Sequence, residues 1–233
     1  MQKTFADKLI SFYRTLEFKE DLPKGIDIMN PYQEKSIMEM TALFAKRFYN
    51  DTSERISVFG INPGRFGSGL TGITFTDPVR MEKECGIENN LRKKQELSSV
   101  FIYDMINRFG GPEKFYKKFF LSAVSPLGFL KNGKNLNYYD NKALETLVTP
   151  FIIESIRKSF SIGCSSGIII CLGEGKNYTF LTRLNEKYGF YEKIIPLAHP
   201  RFIMQYRLKK KEEYIIRYLE VLNDSLNFVS LPG

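Results

Sequence analysis

Residues 56–78 read I-S-V-F-G-I-N-P-G-R-F-G-S-G-L-T-G-I-T-F-T-D-P, a short and largely apolar run that empties into a glycine-rich loop. Three more apolar or β-branched runs follow at residues 119–124, 168–172 and 194–198. Stretches with helical spacing separate them, over residues 91–109, 141–160 and 176–188, and a last amphipathic stretch covers residues 210–227. Runs of this length without polar alternation suit strands buried on both faces. Their interleaving with helices predicts βαβ units and a mostly parallel sheet. Pro150 is expected to break or kink the helix that contains it. Upstream, residues 5–16 and 34–49 carry apolar stripes at helical spacing, joined by a Pro/Gly-containing connector. The expected fold is a three-layer α/β/α sandwich with a central, mostly parallel four-stranded sheet. With no repeat and no long linker, residues 1–233 read as one domain, with N-terminal helices within residues 1–50 packed on the core.

Composition narrows the function. The 233 residues are 43% hydrophobic, so the chain is long and apolar enough to fold without a disulfide or metal staple. The longest apolar run is far too short to span a bilayer, which excludes a membrane protein. Asp7 and Lys8 interrupt the start where a signal peptide needs an apolar stretch, so a cytoplasmic location is expected. Three cysteines are too few for a four-thiolate cluster and odd in number for a disulfide framework. The single histidine, His199, excludes any metal site with two histidine ligands. The formal charge of +8 favours a polyanionic partner, though it also simply keeps a protein in solution.

In a sheet of this kind ligands bind outside the carboxyl ends of the strands. The loop after the first run contains Gly60, Gly64, Gly67, Gly69 and Gly72. It lacks the Gly-Lys-Ser/Thr of a P-loop, and although Gly67, Gly69 and Gly72 have dinucleotide-fingerprint spacing, they do not lead straight into a helix. A structural Ω-loop is the plain alternative. The last run ends in L-A-H-P-R-F-I-M-Q-Y-R, residues 197–207, where Arg201 and Arg207 flank Phe202. Apolar residues between cations suit a wedge entering a base stack while the cations hold phosphates. They equally suit ordinary packing beneath the loop. The third run ends at Gly173-Glu174-Gly175-Lys176, small residues ahead of a helix whose N–H groups can face a phosphate.

The first motif, GINPGRFGSGLTGITF, followed by HPRF and joined by a strand-end S-x-x-S-P-L and a downstream GKNL at residues 133–136, resembles the uracil-DNA glycosylase superfamily. The similarity is to its single-strand-selective monofunctional branch, in the bacterial variant subfamily. The resemblance implies hydrolysis of the N-glycosidic bond of a flipped-out deaminated base, without metal or organic cofactor, by a monomer acting on single- or double-stranded DNA. By that resemblance Asn62 orients the attacking water and His199 hydrogen-bonds the base oxygen that gains negative charge. Ile61 and Gly64 line the site through their backbone, and Phe75 stacks on the base. Arg201, Phe202 and Arg207, with Gly173 and Lys176, are assigned to DNA binding.

Relatives that prefer uracil place Asn where this chain has Ser122, or Ala123 if the gap is set differently. A Ser hydroxyl is shorter and leaves more room than an Asn amide, which extends the expected substrates from uracil to xanthine. The wedge also departs from the Ser-Pro-Arg-Asn type. No Lys lies in the first motif, so an abasic site without strand cleavage is the expected product. Two alternatives stand beside this reading: a non-catalytic nucleic-acid-binding module of the same fold, and an enzyme that holds a nucleotide in the glycine-rich loop.

Overall fold

The computed structural model describes residues 2–230. In chain order, α1 (Phe5–Arg14), β1 (Ile26–Met29) and α2 (Lys35–Phe48) precede β2 (Arg55–Gly60). Then come α3 (Ser68–Thr71), α4 (Pro78–Lys83), α5 (Leu97–Phe109), α6 (Pro112–Lys118) and β3 (Phe119–Ala123). The hairpin β4 (Gly128–Lys131) and β5 (Lys134–Leu136) leads to α7 (Lys142–Ile162), β6 (Cys164–Leu172), α8 (Lys176–Tyr188) and β7 (Lys193–Leu197). The chain continues through α9 (Pro200–Tyr206) and α10 (Lys211–Ser230).

The four runs form one parallel sheet in the order β3-β2-β6-β7. Every residue of β2 and β3 is buried, which is why neither strand shows polar alternation. Helices flank this sheet, completing the α/β/α sandwich. On one side α1 packs on α2 and α7, with Phe5 edge-on to Phe120 of β3 at 5.3 Å. α5 packs on α9 and α10. The chain leaves β2 toward β3 on one side and later returns to its other side as β6, so the switch in strand order falls at the end of β2. Register brings Gly60 beside Ala123 and Leu172 beside Leu197 at the carboxyl edge.

A buried arginine anchors the opposite end. Arg55 opens β2 and donates to the carbonyls of Tyr116 and Ser53 at 2.8 Å each, and to Asp51 at 3.0 Å. Its guanidinium also lies 4.6 Å from the Phe5 ring centroid and 5.0 Å from that of Tyr49. All three cysteines are buried and unpaired, and burial pushes each thiol up to about 12. No helix among the described residues is long and apolar enough to cross a membrane.

Three expectations need correcting. The segment upstream of Asn30 is not wholly connector: it supplies β1, which joins β4 and β5 in a second, antiparallel sheet of order β1-β4-β5. The β4–β5 hairpin closes on Asn132-Gly133, both at positive φ (50° and 68°), the combination that a tight primed turn requires. The helix expected from residue 91 begins only at Leu97, because residues 88–95 are almost wholly polar and carry no apolar face to bury. Pro150 does not break α7, which runs continuously across it, with the Thr149 hydroxyl donating to the Glu145 carbonyl at 2.6 Å.

Candidate active site

The loop after β2 is built around one aromatic ring. Phe75 has φ 55°, a left-handed conformation that costs energy for any residue with a Cβ. Hydrogen bonds hold it there: the Thr71 hydroxyl donates to the Thr76 carbonyl at 2.6 Å and accepts the Ile73 N–H at 3.2 Å. The Thr76 hydroxyl in turn meets the Tyr103 hydroxyl at 2.9 Å inside the core. The ring lies over the end of β2, where a Cβ on Gly60 would come within 2.7 Å of it. A side chain at Gly60 would therefore displace the ring from the sheet end.

Asn62 is clamped by the backbone that follows β5. Its Nδ2 donates to the carbonyls of Pro63 and Leu136, each at 3.3 Å, and its Oδ1 accepts the Tyr138 N–H at 3.2 Å. These partners fix which end of the amide is oxygen and use both amide hydrogens. One lone pair of Oδ1 is left over, which can accept a hydrogen from a water molecule.

His199 caps α9. Its Nδ1 accepts the Arg201 N–H at 3.1 Å, so the proton of the neutral ring sits on Nε2. Burial, with a smaller contribution from Arg201, lowers its pKa to about 4, so the ring is neutral at physiological pH. The imidazole and the Phe75 ring lie 5.7 Å apart between centroids, tilted by 52°.

Asn62, Phe75 and His199 line one cavity of about 380 Å³, together with Ile61, Gly64, Arg201 and Phe202. That volume falls within the ~300–1,000 Å³ usual for small-molecule sites. Ser122 is not among the lining residues, whereas Ala123 is. The period of two along β3 turns Ser122 to the opposite face, on the side of Tyr13 of α1. Of the two positions expected to face a base edge, Ala123 therefore borders the cavity and Ser122 does not, and Ala123 presents only a methyl group.

The expected DNA-contacting residues divide in the same way. Arg201 and Phe202 border the cavity, and Phe202 is 41% exposed. Arg207 lies outside the cavity lining, its guanidinium over the Phe202 ring at 5.4 Å. Gly173 and Lys176 stand apart from it as well: the Gly173 N–H is taken by the Leu197 carbonyl at 2.7 Å, and Lys176 lies over Tyr139 at 5.9 Å. Nor are the loop glycines an open cradle for phosphates. A Cβ on Gly67 would overlap Glu96, one on Gly69 would strike Met29, and one on Gly72 would overlap Thr41.

Asp77 is a structural cap. It accepts the N–H groups of Val79 and Arg80 at 2.9 Å each with one oxygen and that of Glu96 at 2.9 Å with the other. Sequence reasoning missed Glu96, Asn135, Asn137 and Gln205, all of which line the cavity. The Asn-Gly turn could have revealed the hairpin that delivers Asn135 and Asn137. Glu96 is a lone carboxylate in a polar stretch and carries no such signal. Among the described residues no group of three or more His, Cys, Asp or Glu side chains is placed to hold a metal ion.

The sequence model of the uracil DNA glycosylase superfamily matches residues 47–223. The crystal structure of wild-type SMUG2 from Pedobacter heparinus superposes on this fold with a TM-score of 0.94. The two chains are 48% identical, over 97% of this chain and 100% of that one. No curated protein matches the chain. The chain belongs to the uracil DNA glycosylase superfamily, in the same branch as the Pedobacter protein, and is a DNA glycosylase, a hydrolase acting on N-glycosyl bonds.

Proposed function

We propose that this glycosylase removes flipped-out deaminated bases, uracil and also the larger xanthine, and leaves an abasic site. The observation that carries the reading is the pairing, in one cavity, of an Asn62 amide with a spare Oδ1 lone pair and a neutral His199 with its proton on Nε2. A base must leave the helical stack before its glycosidic bond can be reached, which costs a few kcal/mol. Stacking on Phe75 returns about 1–3 kcal/mol of that. As the C1′–N bond lengthens, positive charge grows on the sugar and negative charge on the base. His199 Nε2–H donates to the base oxygen where the charge collects, and a fixed donor of this kind contributes about 10²–10³ in rate.

Asn62 cannot accept a proton as a carboxylate does. It holds the water by one hydrogen so that the oxygen faces the sugar carbon. Among the described residues no lysine lines the cavity, so no Schiff base with the sugar is expected and the strand is expected to stay intact. The methyl group of Ala123 neither donates to nor accepts from a base edge, which supports the wider base range. The test is single-turnover excision from oligonucleotides carrying uracil or xanthine, single- and double-stranded, at stated salt. Release of both bases with an intact abasic strand is expected; release of uracil alone removes the xanthine half of the reading.

A further inference from the structure

The cavity contains one acidic group that the reading above leaves idle. Glu96 ends the polar stretch before α5, and its backbone is tied down by Asp77, which accepts its N–H, and by Val100, which donates to its carbonyl at 3.0 Å. Its carboxyl group lies against the loop after β2. One oxygen would be 3.0 Å from a Cβ on Gly64, and the other would overlap a Cβ on Gly67. The carboxyl occupies the space that a side chain at Gly67 would take, and it would have to move if one were present. Among the described residues, no group donates a hydrogen bond to either carboxyl oxygen. A partly buried carboxyl left without a partner is costly, so a ligand that completes it gains accordingly.

Glu96 also stands at a boundary. Beside the base cavity lies a second one of about 410 Å³, and the two share Glu96, Asn135, Arg201 and Gln205. The second cavity adds Arg65 and Lys134, cations suited to a phosphodiester backbone. A nucleotide with its base over Phe75 and its backbone toward those cations can present a base carbonyl or a phosphodiester oxygen at the shared wall. Towards either, a neutral carboxyl donates its O–H, whereas an ionised one repels.

Resting on the base-excision reading above, we propose that Glu96 contacts the substrate, its neutral carboxyl donating a hydrogen bond to an oxygen of the bound nucleotide, and that ionisation of Glu96 weakens DNA binding. The charged and titratable groups around it are Asp77 from the loop before α4, Arg65 from the loop after β2, Lys134 on β5, and His199 and Arg201 at the start of α9. Burial and the charge of Asp77 raise the Glu96 carboxyl to about 7 against the pull of Arg201. His199 stays neutral throughout the same range.

The experiment measures the affinity of the full chain for two uncleaved DNAs between pH 6 and 8. One carries a stable abasic-site analogue and the other a 2′-fluorinated deoxyuridine that resists excision. Wild-type affinity is expected to fall about tenfold across that interval, as a group titrating near 7 requires. Glu96→Gln, which keeps a donor but cannot ionise, loses the dependence. Glu96→Ala weakens binding at pH 6 by about tenfold. Gly67→Ala, which pushes the carboxyl out without altering it, also flattens the profile and covers the case in which the amide does not fit. A dependence present with both DNAs assigns the acceptor to the phosphodiester, and one confined to the base-bearing DNA assigns it to the base carbonyl. The proposal is overturned if Glu96→Gln retains the wild-type pH dependence, or if wild-type affinity is flat or rises with pH. Neither DNA is cleaved, so these outcomes are independent of the roles given to Asn62 and His199, which fail or stand on excision rates.

Discussion

The Arg201 backbone N–H points at Nδ1 of His199 from 3.1 Å, and this one contact sets the tautomer of the protein's single histidine. Cap and donor are two ends of the same ring: Nδ1 closes the first turn of α9 while Nε2–H is left for the cavity. With its pKa lowered to about 4, the ring is already neutral at pH 5 and stays so at pH 8. Excision measured under saturating enzyme should therefore show no rise or fall attributable to an imidazole near pH 6.5. A step at that pH, lost in His199→Ala, would mean that the ring works as an imidazolium.

The same shift has a consequence for stability. The unfolded chain binds a proton on this histidine near pH 6.5, whereas the folded chain binds it only near pH 4, so stability drains away as pH falls through that interval. Urea unfolding of wild type and His199→Gln at pH 7 and pH 4.5 should show the variant losing less stability on acidification, by about 1–3 kcal/mol.

Glu96 acts in the opposite sense. Its folded pKa of about 7 lies above the ordinary carboxyl value of 4.5, so the penalty is absent below pH 4.5 and grows as pH rises through 7. Glu96→Gln should match wild type near pH 4.5 and exceed it at pH 8 by as much as ~3 kcal/mol, less for the carboxyl's partial exposure. Equal stabilities at pH 8 would show that the carboxyl is already relieved of its burial by water.

Ala123 supplies the sharpest test of base choice. Ala123→Asn places an amide that both donates and accepts on the cavity wall beside Gly60, and should raise the ratio of uracil to xanthine excision by about tenfold, as one well-aligned base-edge contact allows. Ser122→Asn should leave that ratio unchanged and lower stability, since its neighbours are Tyr13 and the α1 face. The reverse outcome would return base reading to position 122.

Arg55 holds the end of the sheet far from the chemistry. Arg55→Leu strips donors from the main-chain carbonyls of Tyr116, Ser53 and Phe48 and from Asp51, and should cost about 3–5 kcal/mol in chemical denaturation. Excision by the fraction that remains folded should be unchanged.

Much of this was legible in the residues alone. The apolar runs marked all four central strands, because burial on both faces leaves no room for polar alternation, and their ends located Asn62 and His199. The second sheet was harder to see: β1 and β5 are four- and three-residue edge strands with mixed polarity, and only Asn132-Gly133 announced the hairpin. The choice between Ser122 and Ala123 could not be made from sequence, because a one-residue slip along a strand reverses the face that a side chain occupies. Glu96 could not be found from sequence, since its significance comes from Gly64 and Gly67 folding over it.

Asn62 and His199, lining one cavity, are proposed to act on the same base. Their roles are read out by single-turnover excision of uracil by Asn62→Ala and by His199→Ala, each with a wild-type melting temperature. Each variant is expected to lose at least about tenfold in rate while still binding abasic-site DNA. A near wild-type rate in either one would mean that the residue has no part in the chemistry.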